Sequence, residues 1–255
     1  MPGRIFLANV GANAAHRFSS PIFADGTFEF LPIPEEPPID GPHAVRYQDL
    51  RSRYQPAKDL KEYIPKRLWQ VSTHNDPEFE TFTYGDNCEA NARAASLKRL
   101  EPGDFLFFIV RLDRWTAGSS TGDHGFYLVG YLEIEDVLRD VRARPSAGEV
   151  ARFGANAHIR RGLWDSGLWD RFWVFGGSSN SRRFHHAVPV TRDLAQGAFR
   201  SADGSPWRWD GSRTDLQVIG SYTRSCRCVI DPSLDGHDQR ATFFWDWVRR
   251  HSEAK

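Results

Sequence analysis

Leu100-Glu-Pro-Gly-Asp-Phe-Leu-Phe-Phe-Ile-Val-Arg-Leu112 decides the fold reading of this chain. A Pro-Gly-Asp turn opens it, and an unbroken apolar run follows from Phe105. Aromatic and β-branched residues in such a run specify a strand rather than a helix. A second strand is expected at Phe126–Ile134, after a polar Gly/Ser-rich loop over Arg114–His124. A helix is expected near Glu135–Arg142.

Upstream, Arg4–Val10 reads as a first strand that ends at Asn9. Phe23–Ile33 alternates around Asp25-Gly26 and reads as a hairpin. Pro32–Pro42 is too proline-rich for regular structure. Short helices are expected over Ala57–Tyr63 and Glu89–Lys98, the second capped by Asp86 or Asn87. Pro77–Tyr84 alternates with period two. Downstream, Ala147–Phe153 reads as a short helix and Phe172–Phe175 as a strand. Gly176–Arg183 reads as a loop, Ala187–Val190 and Leu216–Ser221 as strands. Phe244, Trp247, Val248 and His251 fall at helical spacing in a C-terminal helix beginning near Asp238. Gly11-Ala-Asn-Ala recurs as Gly154-Ala-Asn-Ala, but the flanks differ and the echo is read as chance.

The mixture specifies an α+β class, read as a mixed, strongly curved β-sheet with flanking helices. No low-complexity linker divides the 255 residues, so residues 1–255 are read as one domain. With 18 Phe, 9 Trp and 7 Tyr, the core is expected to be aromatic.

Lys plus Arg and Asp plus Glu number 33 each, for a formal net charge of zero. A protein that binds nucleic acid through its overall field is usually basic, so any such contact here is expected from a local site. The three cysteines, Cys88, Cys226 and Cys228, are too few for a disulfide framework. Cys226-x-Cys228 lacks a second pair, and no metal site is assigned from spacing. A metal would need His43, His74, His124, His185 or His186 to be brought in by folding. The apolar stretch at the N-terminus is too short for a signal peptide or a membrane span, so a cytoplasmic location is expected. No nucleophile-elbow, phosphate-loop, dinucleotide or H-E-x-x-H pattern is present, and no cofactor is specified.

The turn at Pro102-Gly-Asp104, the strand after it and Gly125-Phe-Tyr-Leu-Val-Gly-Tyr-Leu-Glu-Ile134 resemble the PUA superfamily, which implies a PUA-like β-barrel with flanking helices as the alternative to the curved sheet. Longer blocks are more specific: Ile5–Ala14, His74–Asp86, Phe172–Arg183 and Arg213–Arg224. In order, from about residue 4 to residue 230, they resemble the Nmad3 family, the nucleotide modification associated domain 3. The resemblance implies a role in a bacterial or phage nucleotide-modification or defence system. Recognition of a modified nucleobase or nucleotide is the reading preferred from sequence. The alternative is an enzyme that installs, transfers to or removes a base modification.

A base reader needs aromatic walls, polar groups for the base edge and cations for phosphate. Asn9 and Asn13 offer paired donors and acceptors. Tyr84 and Tyr222 are candidate stacking residues, as are Trp115 and Trp173. Arg182, Arg183 and Arg224 are candidate phosphate partners, Arg17 is a further substrate-binding candidate, and Ser178 and Asn180 sit in a Gly/Ser loop suited to an anion. For the enzymatic alternative, His16, Asp86 and His185 are the catalytic candidates. Cys88 near a helix start is a further nucleophile candidate, through a lowered thiol pKa. DNA, RNA or a nucleotide is the expected partner, along with proteins of the modification system and no membrane.

Overall fold

The computed structural model describes residues 3–12, 14–41, 44–207 and 226–253. Strands are β1 (Ile5–Asn9), β2 (Ser20–Ile22), β3 (Ile33–Pro34), β4 (Thr73–His74) and β5 (Thr83–Asp86). They continue with β6 (Phe105–Thr116), β7 (Ser119–Val141), β8 (Phe172–Gly177), β9 (Arg182–Pro189) and β10 (Cys226–Ile230). The α-helices among the described residues are α1 (Ala147–Phe153), α2 (Ala157–Trp164), α3 (Arg192–Ala198) and α4 (His237–Ser252).

The main sheet runs β10-β1-β6-β7-β8-β5, with β2 added on β6 and β9 on β7. β1 and β2 are parallel to β6, and the other pairings of this sheet are antiparallel, so the sheet is mixed. β7 pairs with β6 and β9 over its first part and with β8 over its second. Register shifts interrupt it between Leu128 and Gly130, between Ile134 and Asp136, and between Leu138 and Val141. Such bulges bend a strand and increase its twist, which curls the sheet strongly.

The turn that opens β6 is held at both ends. Asp104 N–H donates to Glu101 O at 3.0 Å, and Gly103 adopts φ 90°, closing a β-turn with Pro102 at its second position. Asp104 then receives Arg4 N–H at 2.9 Å and Arg4 Nη2 at 2.7 Å, which fixes the start of β1 beside β6. The apolar run of β6 is continuous because both of its faces are covered. Phe107 and Ile109 enter a cluster with Phe244, Val248 and Leu194 from α4 and α3. Leu106, Phe108, Val110 and Leu112 enter a second cluster with Phe6, Tyr84 and Phe175. Alternate side chains point to opposite faces, so two cores require an apolar residue at each step. Each fully buried Phe contributes about 1.5–3 kcal/mol relative to exposure.

Several local expectations are corrected. Arg114–His124 is a hairpin whose strands run to Thr116 and from Ser119, with Ala117 and Gly118 at positive φ. Glu135–Arg142 is not a helix: β7 runs to Val141, because Asp136, Val137 and Leu138 pair with Gly176, Phe175 and Val174. Its charges sit on the exposed face of a ladder, which overrides helix propensity. Glu89–Lys98 contains only a 3-10 segment, Ala95–Arg99. Hydrogen bonds from Leu97 to Ala94 and from Leu100 to Leu97 give a three-residue pitch that buries Ala94, Leu97 and Leu100 together. Ala57–Tyr63 is reduced to a 3-10 turn, Lys61–Tyr63. The Gly/Ser loop after β8 is short, because β9 begins at Arg182. Helices α2 and α3 were not expected from the sequence. The expected strand Leu216–Ser221 lies outside the described residues. Among the described residues no helix is long and apolar enough to cross a membrane.

Candidate functional site

A cavity of about 470 Å³ opens beside the C-terminal end of β1, between β3, β4, β5 and α2. Its floor is built by short elements that the sheet holds in place. β3 and β4 form a two-stranded ribbon in which Ile33 pairs with His74, and Glu35 N–H donates to Ser72 O at 2.9 Å. That register puts Glu35 against His74, and both Glu35 carboxylate oxygens lie 3.0 Å from His74 Nδ1. The contact directs His74 Nε2 towards Asp76 Oδ2, 3.9 Å away.

Asp76 follows β4 and is anchored by strand β5, where Gly85 N–H donates to its Oδ2 at 2.7 Å. Opposite stands His158, in the first turn of α2. Asn156 caps that turn by accepting from His158 N–H at 3.0 Å, which fixes where the imidazole leaves the helix. His158 Nε2 is 3.7 Å from Asp76 Oδ2, and its ring meets His74 edge-on with centroids 4.7 Å apart. Gly85 is required by this crowding: a Cβ there would lie 2.5 Å from His158 Cδ2.

Burial dominates the electrostatics. It pushes the Asp76 carboxyl well above the usual carboxylate range, although the Gly85 hydrogen bond works the other way. Burial also pushes His158 well below the ordinary histidine range, reinforced by His74 and Arg161. Asp76 Oδ1 and His158 Nδ1 have no hydrogen-bond partner among the described residues. Leaving a buried polar group unpaired costs about 1–3 kcal/mol. Arg160 acts on Asp76 electrostatically, while two other nearby cations are engaged elsewhere. Arg161 Nη2 donates to Asp170 at 2.6 Å, and Arg93 Nη2 donates to Asp86 at 3.1 Å. One ligand atom each from His74, Asp76 and His158 lies within 4.8 Å of the others, a spacing compatible with a shared metal ion.

Of the residues singled out in the sequence, Asn9, His16, Tyr84 and Asp86 line this same cavity. Tyr84 presents its hydroxyl rather than its ring. The side chain is 3% exposed, the ring packs on Phe108, and Oη donates to Asp86 Oδ2 at 3.0 Å. Burial and the Asp86 charge raise its pKa well above the usual tyrosine value, so it remains a neutral donor. Trp173 is buried in the core beside Phe175. Arg17 is exposed just past the 3-10 turn Ala14–His16.

The remaining candidates lie elsewhere. His185 lines a second cavity, of about 540 Å³, with Phe23, Tyr54, Tyr63 and Trp115. The polar groups there are largely satisfied: Glu29 accepts from Ser52 Oγ and Arg53 N–H, and Tyr54 Oη donates to His185 O at 2.6 Å. Ser178 and Asn180 both donate to Glu133 Oε2, at 2.6 and 2.8 Å, in the β8–β9 turn. Arg182 lines a shallow groove with Phe79 and Phe82. Asn13, Tyr222 and Arg224 lie outside the described residues. Cys88 is no activated thiol, since burial and the Asp86 charge push its pKa up. The expected helix is absent around it, and its dipole with it.

Glu35, Asp76 and His158 were missed by the sequence reading. Two signals pointed towards them. His74-x-Asp76 lies inside one of the family-like blocks, and a histidine follows each Gly-Ala-Asn-Ala echo, directly at His158 and after Ala15 at His16. Both echo histidines, His16 and His158, line the same cavity.

No curated protein and no solved structure matches the chain. The family model described as nucleotide modification associated domain 3 matches residues 4–218. That span contains each residue placed in the cavity, from Asn9 to Arg161. Most of the chain is therefore covered, including the cavity and every strand of the curled sheet except β10: the chain belongs to Nmad3, a family whose name associates it with nucleotide modification.

Proposed function

We propose that this chain is an enzyme that alters a nucleobase or nucleotide, with the cavity between β1, β4, β5 and α2 as its active site. One observation carries the reading: two imidazoles and a buried carboxylate, His74, His158 and Asp76, meet at the floor of a cavity large enough for a base. Proton transfer and water activation need such groups within reach of a bound substrate. Asn9 supplies an amide for a base edge. Asp86, held by Tyr84 and Arg93, supplies a fixed acceptor. The neutral overall charge fits a substrate held in a local pocket rather than along a basic surface.

Recognition without turnover is the second reading. It is favoured by the 540 Å³ cavity, where Phe23, Tyr63 and Trp115 offer aromatic faces and Gln55 and Lys58 offer polar groups. The test is incubation of the full chain with nucleotides and with modified and unmodified oligonucleotides, with and without divalent metals. Mass spectrometry of the products decides. Altered nucleosides that disappear in Asp76→Asn and His158→Ala support catalysis. Binding without alteration, weakened by Trp115→Ala, supports recognition. Failure of every nucleotide and oligonucleotide to bind or change overturns both.

A further inference from the structure

We propose that His74, Asp76 and His158 bind one divalent first-row transition metal ion, with Glu35 as the outer carboxylate that orients His74. The proposal rests on the cavity floor alone and stands apart from the enzymatic reading. Three observations carry it.

The donor atoms are placed for it. His158 Nε2 and His74 Nε2 lie 3.7 and 3.9 Å from Asp76 Oδ2. Neighbouring ligands of a tetrahedral ion with bonds of about 2.0–2.1 Å stand about 3.3–3.4 Å apart. All three donor atoms lie within 4.8 Å of one another, so the side chains must close in on a bound ion. The donors come from two segments, the end of β4 with the residues just after it and the first turn of α2, and are brought together only by folding.

The site is built and incompletely satisfied. The Asp76 and His158 side chains are 2% and 7% exposed. Asp76 Oδ1 and His158 Nδ1 nevertheless lack hydrogen-bond partners among the described residues. The neighbouring guanidinium of Arg161 is turned to Asp170 and that of Arg93 to Asp86. The two partnerless atoms are the second polar atoms of their side chains, whose Oδ2 and Nε2 face each other across the proposed ion.

The outer shell is in place. Glu35 accepts from His74 Nδ1, which leaves the Nε2 lone pair facing Asp76. A carboxylate behind a ligating imidazole fixes its tautomer and raises its basicity. Two nitrogens and one carboxylate favour zinc, manganese or ferrous iron over magnesium and calcium, which prefer oxygen donors. Three protein ligands leave further positions open towards the cavity, as in a catalytic rather than a structural centre.

The test uses the full chain, stripped with a chelator and titrated with Zn²⁺ and Co²⁺ by calorimetry and by visible absorption of the cobalt. The expected result is one ion per chain. Affinity should fall about 100-fold or more in His74→Ala, Asp76→Asn and His158→Ala, and about 10- to 100-fold in Glu35→Gln. It should be unchanged in His124→Ala, a substitution in the exposed hairpin. Circular dichroism identifies variants that fail to fold. For these the wild type decides: its melting temperature should rise with added metal, and the cobalt spectrum should report nitrogen and oxygen ligation. Wild-type protein that binds neither ion at micromolar concentration overturns the proposal, as do folded variants that bind like wild type. Metal binding without any change to a nucleoside upholds the metal site and removes the enzymatic reading.

Discussion

Glu35 holds His74 with both carboxylate oxygens 3.0 Å from Nδ1, across a ribbon of only two residues per strand. The carboxylate is 1% exposed and also has Arg161 Nη1 at 3.9 Å. Arg161 keeps Asp170, but Glu35→Ala leaves His74 Nδ1 without its acceptor and should cost about 1–3 kcal/mol. Glu35→Gln keeps an acceptor for the imidazole and should cost clearly less. Urea unfolding of the two variants checks the order, and equal losses would show that the pair is not what Glu35 contributes.

Gly85 sets the depth of the site. A methyl group there would sit 2.5 Å from His158 Cδ2 and 3.2 Å from Asp76 Oδ2. Both neighbours are buried, so relief requires moving the imidazole. Gly85→Ala should cost about 1–3 kcal/mol by overpacking. It should also shift the His158 ring resonances in nitrogen-resolved NMR. Unchanged His158 signals in a folded variant would contradict this packing.

The thiols should be inert in the native state. Burial pushes Cys228 up to about 12 and raises Cys88 as well. A thiolate is the reactive species, so little reaction with a disulfide reagent is expected from either near pH 8 until the chain unfolds. The sign of the linkage follows from the raised pKa. The Cys228 contribution to stability is complete below the unfolded thiol value near pH 9 and is lost as pH rises towards about 12. Thiol titration with and without denaturant, and melting temperatures across alkaline pH, test the two statements.

Gly103 has open space around its Cα but φ 90°. Gly103→Ala should therefore cost about 1–2 kcal/mol through backbone strain alone, with no packing change. Gly103→Asn should cost less, because asparagine tolerates positive φ better. Chemical denaturation of both variants measures the difference.

Local patterns were legible where one interaction dominates. The apolar run Phe105–Leu112 has no polar interruption before Arg111, so it specified a strand on its own, and Pro102-Gly103-Asp104 specified the turn before it. The spacing of Phe244 and Val248 placed α4 because that helix buries a single face. Glu135–Arg142 was misread as a helix because the ladder partners of this part of β7 lie in β8, more than thirty residues away. Helical spacing in Glu89–Lys98 likewise could not show that a three-residue pitch would fit the core better.

The site divides in the same way. Asn9, His16, Tyr84 and Asp86 were singled out from the sequence because each lies near a strand end or a turn, and all four line the cavity, Tyr84 and Asp86 from buried positions. Their meeting in one cavity, and the meeting of His74, Asp76 and His158 beneath them, was decided by tertiary structure. Residues 76 and 158 are far apart along the chain, and nothing local makes a histidine in the first turn of α2 differ from any surface histidine. Only the β3–β4 ribbon, the close approach at Gly85 and the cap on α2 bring them to 3.7 Å and exclude water from around them. The sequence by itself determined the strand core, its turn and the family; the convergence of charge in a buried pocket depends on distances between segments, which a linear pattern does not contain.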